Sequence, residues 1–293
     1  MAFALAAVSD HRLAGVADRS CGVWMFRFLR RARGFSLIEI AIVLVIVGIM
    51  ISAGVGGVSA VKSRGAVQTT VERQTKIQTA LLAYVIQYGC LPCPAVVGGA
   101  GGGQAVDNLS TAYATSCGTT GGGRTGCSVT QGIVPWVNLG LNKDDVIDGF
   151  GTLIEFAPTP ALTTTSTQMV YRTTPTGTLY PNAGTLTVND AAADQQTNVA
   201  AYVLVSHGPD RSYGYLPGAS GTASRLPDPH GSALQGCNAD ASVAPNPACG
   251  TAGYVLDDPR DGAAASWFDD IVRFETARIM IQKCGAGSCA NPQ

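Results

Sequence analysis

Charge is scarce in this chain, and neither sign dominates. Only 13% of its 293 residues are charged, and 19 Lys and Arg side chains nearly balance 20 Asp and Glu side chains. Proteins that bind nucleic acid electrostatically need a clustered excess of Lys and Arg. The sequence has no such basic stripe and no acidic tail, so it predicts no nucleic-acid partner.

Proline is absent from the first 91 residues, and charge is absent from residues 40–61. About 20 consecutive apolar residues are enough to span a bilayer. Residues 62–88 are polar on one side, and their apolar residues recur at spacings of three and four, which is typical of an amphipathic helix. These apolar residues are Val67, Val71, Ile77, Leu81, Tyr84 and Tyr88. The sequence therefore predicts one long helix over 35–88, of which about 35–61 spans a membrane.

Arginines cluster directly before this apolar run. They are Arg27, Arg30, Arg31 and Arg33. Basic residues on one flank of a membrane span favour retention of that flank in the cytoplasm. We therefore expect a single pass through the membrane, with everything after the span exported. Met25 begins a compact basic segment, and we expect it to be the true start.

The junction between the basic segment and the apolar run carries a family resemblance. Arg33-Gly34-Phe35-Ser36-Leu37-Ile38-Glu39 resembles the processing site of the type IV pilin superfamily, which includes the type II secretion pseudopilins. The resemblance implies that a prepilin peptidase cuts between Gly34 and Phe35 and methylates Phe35, so that residues 1–34 are a leader. It also implies an inner-membrane protein with a periplasmic head. Its partners would be homologous pilin or pseudopilin subunits and an inner-membrane assembly platform.

Glu39 is the first charged residue after the predicted cleavage site. A charge at membrane depth costs several kcal/mol, roughly 2.5 to 3.5 on insertion scales, so this carboxylate needs a partner or a purpose. In the filament that the resemblance implies, it would pair with the amino terminus of Phe35 on a neighbouring subunit. One alternative is a carboxylate that reaches the lipid headgroups. Others are a plain signal anchor and a secretory signal peptide, whose cleavage site would follow the apolar core.

Nine cysteines are present, of which Cys21 lies in the predicted leader. The other eight form an even set that fits disulfides in an oxidising periplasm. They are Cys90, Cys93, Cys117, Cys127, Cys237, Cys249, Cys284 and Cys289.

Two pairs of these cysteines allow other interpretations. The Cys90-x-x-Cys93 spacing also occurs in thioredoxin-like redox sites, but here it follows a long helix and contains a proline. We favour structural disulfides with partners such as Cys117 and Cys127. Cys284 and Cys289 lie close together in the Gly-rich tail. For this pair, a terminal disulfide loop is a simpler prediction than a zinc site.

Residues 89–293 predict an exported globular head. A Gly-, Ser- and Thr-rich stretch runs to about residue 132, and we expect disulfides to tie it down. Runs of β-branched and aromatic residues predict strands at 152–157, 168–173, 185–188 and 201–205. Residues 270–274 predict a last strand or a short helix. The expected fold class is α+β, with the long N-terminal helix packed on an antiparallel β-sheet and with long disulfide-tied loops.

Three short elements in the head are similar to those of the major type II secretion pseudopilins. Asp148-Gly149-Phe150-Gly151 is similar to their D-P-W-G turn, and Ser206-x-Gly208-x-Asp210 and Asp270-Ile271 are similar to their S-x-G-x-D and D-I elements. This chain differs at Gly149 and Phe150 and in an insertion of roughly sixty residues before Asp270. The resemblance implies a calcium ion held by Asp210 and Asp270 with backbone carbonyls. Ordinary turn roles for both aspartates are the alternative.

Two further groups have the composition of a functional site without its spacing. Ser206, His207 and Asp210 contain the residue types of a hydrolase triad. Neighbouring side chains in an extended segment point to opposite faces, so Ser206 and His207 cannot form the nucleophile and base pair. A second group lacks the correctly placed glycine of an EF-hand loop, so we expect turn and cap roles for it. Its members are Asn142, Asp144, Asp145 and Asp148.

The sequence thus predicts a structural subunit, a pseudopilin, of a helical periplasmic filament in a type II secretion-like system, and not an enzyme. A minor type IV pilin for adhesion, motility or DNA uptake is the alternative within the same superfamily. A membrane-anchored periplasmic enzyme or binding protein is the alternative of a different class. Such a protein would tolerate the loss of Glu39.

Overall fold

The computed structural model describes residues 36–97, 103, 127, 129–163, 184–218, 225–239, 253–260 and 267–284, without the side chains of residues 51–62. The chain divides into two compact units, Met1–Ala53 and Gly54–Gln293. The predicted strand at 168–173 lies outside the described residues.

One helix, α1, runs from Leu37 to Tyr88. It contains no proline, so no residue inside it lacks the N–H that the helical hydrogen-bond ladder needs. Gly89 follows it in the left-handed conformation, with a φ of 75°, and donates its N–H to the Val85 carbonyl. Glycine takes this conformation without strain and commonly ends helices. The long N-terminal helix expected from the sequence is therefore present.

In the first unit, α1 carries large apolar side chains on all sides. These side chains are exposed, with fractions from 43% at Val47 to 91% at Leu37. They are Leu37, Ile38, Ile40, Ile42, Val43, Leu44, Val45, Ile46, Val47, Ile49 and Met50. Within the residues that the structure describes, no helix meets the length and hydropathy that a membrane span requires.

The second unit is built on a six-stranded sheet. Its strands are β1 (Gly132–Ile133), β2 (Glu155–Pro158), β3 (Leu186–Asn189), β4 (Gln195–Ser206), β5 (Gly253–Val255) and β6 (Ile271–Thr276). The order across the sheet is β1-β2-β4-β3-β5, and β6 also pairs with β4. The long strand β4 therefore forms the centre of the sheet.

The sheet is mixed, which corrects the expectation of an antiparallel sheet. Strands β3 and β5 run parallel, with Thr187 opposite Gly253, whereas the other paired strands are antiparallel. A parallel neighbour needs a long crossover connection. The chain from β3 to β5 supplies it, because it passes through β4 and a short helix, α2 (Ala233–Ala239).

The prediction of a strand or a short helix over 270–274 is decided in favour of a strand, because these residues lie almost entirely in β6. Strand β6 leads directly into the helix α3, Ala277–Lys283. Thr276 caps this helix, since its side-chain oxygen accepts a hydrogen bond from the Ile279 N–H. Two single 3-10 turns, Lys143–Val146 and Pro160–Thr163, complete the described elements.

Within the second unit, α1 packs against the sheet. Ile77, Leu81 and Val85 are fully buried in one core cluster with Phe156 of β2 and Tyr202 of β4. Full burial of such a side chain stabilises the fold by about 1.5 to 3 kcal/mol. This contact holds the sheet on the helix and confirms the packing of the N-terminal helix on the head.

The buried face of α1 also contains polar residues, at positions beside the valines Val67 and Val71 that the sequence pattern predicts to be buried. Thr70 and Gln74 are fully buried, whereas Val67 is 39% exposed. Thr70 Oγ1 accepts from the Gly149 N–H at 2.9 Å, and Gln74 Nε2 donates to the Ile271 carbonyl at 2.8 Å. The helix therefore satisfies backbone groups of the head at these positions, which apolar side chains would leave unpaired.

Candidate functional site

The N-terminal site begins where the described chain begins. Gly34 and Phe35 lie outside the described residues. The Ser36 carbonyl accepts hydrogen bonds from the Glu39 N–H at 3.0 Å and the Ile40 N–H at 3.2 Å. Glu39 therefore lies in the first turn of α1, where the helix dipole favours a negative charge. The carboxylate is an exposed charged group on an otherwise apolar helix surface.

In the head, Asp148 joins two of the three motif-like elements. Its Oδ1 accepts from the N–H groups of Phe150 at 2.9 Å and Thr152 at 2.8 Å. Its Oδ2 accepts from the hydroxyls of Thr152 and Ser206, both at 2.7 Å. The buried carboxylate thus ties the turn before β2 to the end of β4. The four hydrogen bonds that Asp148 accepts thus hold these segments together.

Two glycines in these elements leave no space for a side chain. A Cβ on Gly149 would lie 2.0 Å from the carbonyl oxygen of Ala66 in α1. A Cβ on Gly208, whose φ is 56°, would lie 2.2 Å from the carbonyl oxygen of Asp269. Gly149 stands where the resemblance would have proline, and the close approach of α1 accounts for the smaller residue. The three motif-like elements are therefore brought together in space.

Ser206 and His207 point to different carboxylates, as the alternation of an extended segment predicts. The Ser206 hydroxyl donates to Asp148, and His207 Nε2 lies 2.8 Å from Oε1 of Glu155. Asp210 is engaged by other groups, described below. The three residues do not form the nucleophile, base and orienting acid that a hydrolase triad needs.

Glu155 is the centre of a buried charge network. Its side chain is fully buried in β2, and Arg225 Nη1 and Nη2 approach Oε1 and Oε2 at 2.6 and 2.9 Å. Gln131 Nε2 donates to Oε2 at 2.8 Å. Burial alone would raise the pKa of Glu155, but the charges and hydrogen bonds of His207 and Arg225 hold it below its usual range. A buried carboxylate with two cationic partners and an amide donor is well satisfied.

Asp270 continues this network on the other side of His207. Its Oδ2 accepts from Nδ2 of Asn238 at 2.8 Å, and its Oδ1 lies 3.8 Å from His207 Nδ1. Burial raises the pKa of Asp270 to about 7, although the charge of His207 opposes the rise. Asp270 is therefore directed into the network around Glu155.

Asp210 has a different acidic neighbour from the one predicted. Its carboxylate accepts from the N–H and hydroxyl of Ser212, both at 2.8 Å, and from Gln235 Nε2 at 3.0 Å. The adjacent carboxylate is that of Asp269, which accepts from the Asp210 N–H at 3.1 Å and from the same Gln235 nitrogen at 2.5 Å. Burial and the charge of Asp210 raise the pKa of Asp269 to about 6.

These contacts do not fit the calcium ion implied for Asp210 and Asp270. Gln235 places a donor between the carboxylates of Asp210 and Asp269, where a calcium ion needs oxygen acceptors. In the described parts of the chain, no three His, Cys, Asp or Glu side chains are grouped so that they could hold a metal ion. We therefore derive no role for calcium.

The acidic group around residue 145 has the turn and cap roles expected from the sequence. The Asn142 N–H donates to Asp145 Oδ2 at 3.1 Å at the start of the 3-10 turn. Lys76 of α1 pairs with Asp145 at 2.8 Å, and this contact lowers the pKa of the Asp145 carboxyl. The group therefore helps to fix the turn against the helix.

Disulfides hold the segments around the helix end. Cys93 is bonded to Cys127, which lies 34 residues further along the chain. Cys90, Cys237 and Cys284 are also disulfide-bonded. The other three candidates, Cys117, Cys249 and Cys289, lie outside the described residues. Because Cys93 pairs with Cys127, the Cys90-x-x-Cys93 segment does not form the internal disulfide of a thioredoxin-like site.

Sequence reasoning missed Glu155, Arg225, Gln235 and Asn238. Glu155 offers one signal, because it is the only charged residue between Ile147 and Phe156 apart from Asp148. A carboxylate inside a predicted strand of apolar residues suggests a buried ionic partner. The other three residues lie in the insertion before Asp270, and nothing in its composition identifies them.

Comparison with known proteins identifies one part of the chain. Residues 29–55 match the family model described as the prokaryotic N-terminal methylation motif. This is the prepilin-type cleavage motif of type IV pilins, so the resemblance drawn from Gly34, Phe35 and Glu39 is confirmed at that level. No curated protein and no solved structure matches the chain.

Proposed function

We propose that this chain is the precursor of a pseudopilin, a structural subunit of a helical periplasmic filament in a type II secretion-like system. A prepilin peptidase cleaves between Gly34 and Phe35 and methylates the new terminal Phe35. Residues of about 35–61 anchor the subunit in the inner membrane, and the head lies in the periplasm. The observation that carries the proposal is the methylation motif over residues 29–55, within which α1 begins at Leu37.

The exposed apolar surface of α1 supports a role in assembly. A helix that is apolar on all sides needs an apolar environment around it. In the precursor the bilayer supplies that environment, and in the filament the helices of neighbouring subunits supply it. The other partners are the prepilin peptidase and an inner-membrane assembly platform.

Glu39 gives this assembly its register. Phe35 and Glu39 are four residues apart, about one helical turn, so the cleaved amino terminus and the carboxylate lie at the same end of the helix. In a filament, the amino terminus of an incoming Phe35 pairs with Glu39 of a neighbouring subunit. An unpaired charge buried in the filament core costs about 3 to 5 kcal/mol, so subunits stacked out of register are disfavoured.

The head favours a pseudopilin over a minor type IV pilin. The three elements that resemble pseudopilins lie far apart in sequence, and the fold brings them into contact through Asp148, Ser206 and the close approach of Gly208 to Asp269. A minor pilin for adhesion, motility or DNA uptake would share the processing and the helix. The subunit acts as a structural component and not as an enzyme.

The processing step is tested by the mass of the mature N-terminus. Mass spectrometry of the membrane fraction is expected to find methylated Phe35 as the first residue. Gly34→Glu should leave the leader attached, because the peptidase site has no room for a long charged side chain. Gly65→Glu is the matched control, since Gly65 is exposed on α1 and a Cβ there meets no atom within 4 Å. Any other mature N-terminus in the unaltered protein would contradict the proposal.

The choice between secretion and pilus function is tested by deletion. A strain without this chain should retain its surface pili and fail to release a folded periplasmic substrate. Loss of pili with normal release would favour the minor pilin instead.

A further inference from the structure

Two buried amides lie three residues apart on the short helix α2. Gln235 and Asn238 are both fully buried, and residues three apart lie on the same face of a helix. The helix belongs to the insertion that separates Asp210 from Asp270. It packs on strand β5 through a small apolar cluster that includes Leu234. The two amides are therefore held in fixed positions beside the aspartates.

The amide of Gln235 lies between two carboxylates. Its Nε2 is 2.5 Å from Asp269 Oδ1 and 3.0 Å from Asp210 Oδ2. A calcium ion bound by these two oxygens would lie about 2.3 to 2.6 Å from each of them. The nitrogen therefore bridges the two carboxylates as a shared cation would.

Asn238 brings the second amide to Asp270, the other aspartate for which the family resemblance implies calcium. Its Nδ2 donates to Asp270 Oδ2 at 2.8 Å and to the Val255 carbonyl at 3.0 Å. Its Oδ1 accepts from the Val255 N–H at 2.9 Å. These two contacts with the Val255 backbone fix the direction of the amide, so its nitrogen faces Asp270. The helix α2 therefore supplies an N–H donor to each of the two implied calcium ligands.

The backbone near Asp210 supplies further donors. The Asp210 carboxylate accepts from the N–H and the hydroxyl of Ser212, both at 2.8 Å. The Asp210 N–H in turn donates to Asp269 Oδ2 at 3.1 Å. Hydrogen-bond donors directed at a carboxylate favour its charged form, as a nearby cation does. These aspartates are therefore engaged by groups of the chain itself.

We propose that α2 is a built-in substitute for a metal ion, whose two amides take the place of calcium at the neighbouring aspartates. Gln235 serves Asp210 and Asp269, and Asn238 serves Asp270. The head then folds without calcium, because the inserted segment provides the donors that replace the ion. This concerns the stability of the head and does not depend on filament assembly.

The direction of the Gln235 amide separates this proposal from a calcium site. Turned over, the amide would bring Oε1 to the two carboxylates, and three oxygen atoms would meet as a calcium ion requires. In the structure Nε2 faces the carboxylates, and Oε1 is buried without a hydrogen-bond partner among the described residues. The response to calcium therefore tests which atom of the amide faces Asp210 and Asp269.

The first measurement is the melting temperature of the mature full-length protein in detergent, with about 1 mM calcium chloride or with excess EGTA. The proposal predicts the same melting temperature in both conditions. A fall of several degrees on chelation would overturn it, because the head would then depend on a bound ion.

The second measurement replaces the donor by an acceptor. Gln235→Glu keeps the length of the side chain and places a third carboxylate beside Asp210 and Asp269. With EGTA this variant should melt several degrees below the unaltered protein, and calcium should restore part of the loss, because three carboxylates provide the oxygen ligands that calcium needs. Gln87→Glu, at an exposed position of α1, is the matched control and should not respond to calcium.

Two results from Gln235→Glu would overturn the proposal. One is a melting temperature equal to that of the unaltered protein with EGTA, and the other is the lack of any response to calcium. If Gln235→Glu does not fold, Gln235→Ala takes its place, since it removes the donor without adding a charge. A loss of several degrees in Gln235→Ala, without a loss in Gln87→Ala, supports the proposal, and an unchanged melting temperature in Gln235→Ala overturns it.

Discussion

The two units of this chain treat apolar and charged groups in opposite ways. In residues 37–50 the large apolar side chains are exposed, and the one charged residue, Glu39, lies among them. In the described part of the head most large apolar side chains are buried, and the side chains of Glu155, His207 and Arg225 are paired inside the fold. The head therefore pairs these three side chains through its own contacts. The apolar surface of residues 37–50 is left exposed in the described part of the chain, and it is the surface that the proposed assembly would cover.

The largest loss of stability in the head is expected on substitution of Glu155. Glu155→Ala would leave the charges of Arg225 and His207 without their shared carboxylate, and losing one partner of a buried ion pair typically costs about 3 to 5 kcal/mol. We expect this loss in the free energy of unfolding, measured by urea denaturation. Glu72→Ala, on the exposed face of α1, is the control and should change stability by less than about 0.5 kcal/mol. An equally small effect at Glu155 would show that the head does not depend on its buried charges.

The next largest effect concerns the disulfide between Cys93 and Cys127. Its closed loop spans 34 residues, for which chain entropy predicts a stabilisation of about 3 to 4 kcal/mol. Replacing both cysteines by serine should lower the unfolding free energy by that amount. Cys93→Ser alone should cost the same, because one thiol cannot form the bond. A single replacement without effect would mean that Cys93 and Cys127 do not form this bond in the folded protein.

A smaller effect is expected at Gly149. Gly149→Ala places a methyl group against the Ala66 carbonyl, and strain of this kind typically costs about 1 to 3 kcal/mol. Gly65→Ala on the same helix meets no neighbour within 4 Å and should stabilise the helix by roughly 0.5 to 1 kcal/mol. Thermal melting of the two variants should therefore move in opposite directions. If the melting temperatures of both variants moved in the same direction, the close contact between α1 and the turn at Gly149 would be contradicted.

Local features of the fold could be predicted from the sequence, and distant contacts could not. The cleavage motif and the start of α1 depend on consecutive residues, and the strands β2, β3 and β4 overlap with the β-branched runs that predict them. The pairing of Arg225 with Glu155 joins residues 70 apart in sequence, and no pattern in either segment indicates it. The parallel pairing of β3 with β5 depends on a crossover through α2, and the composition of that segment does not indicate a helix.

The same limit applies to the helix face and the acidic sites. Val67 fits the apolar period of α1, yet Thr70 and Gln74 take the buried positions because backbone groups of the head need partners there. Asp270 matches the family element in sequence, but Asp269 is the residue that lies beside Asp210. A shift of one residue along an extended segment reverses the direction of a side chain, so sequence matching alone does not decide which aspartate faces the loop.

The most direct test of the account is filament assembly by Glu39→Ala. This substitution removes a charge from the exposed apolar helix and leaves the cleavage motif before Phe35 unaltered, so membrane insertion and processing should be normal. Cells that express Glu39→Ala, Glu72→Ala or the unaltered subunit at equal levels are compared by shearing and by cross-linking of the filaments. The account predicts normal yields for Glu72→Ala and a severe loss of filaments for Glu39→Ala. A normal filament yield from Glu39→Ala would contradict it and would favour a membrane-anchored protein that does not assemble through this helix.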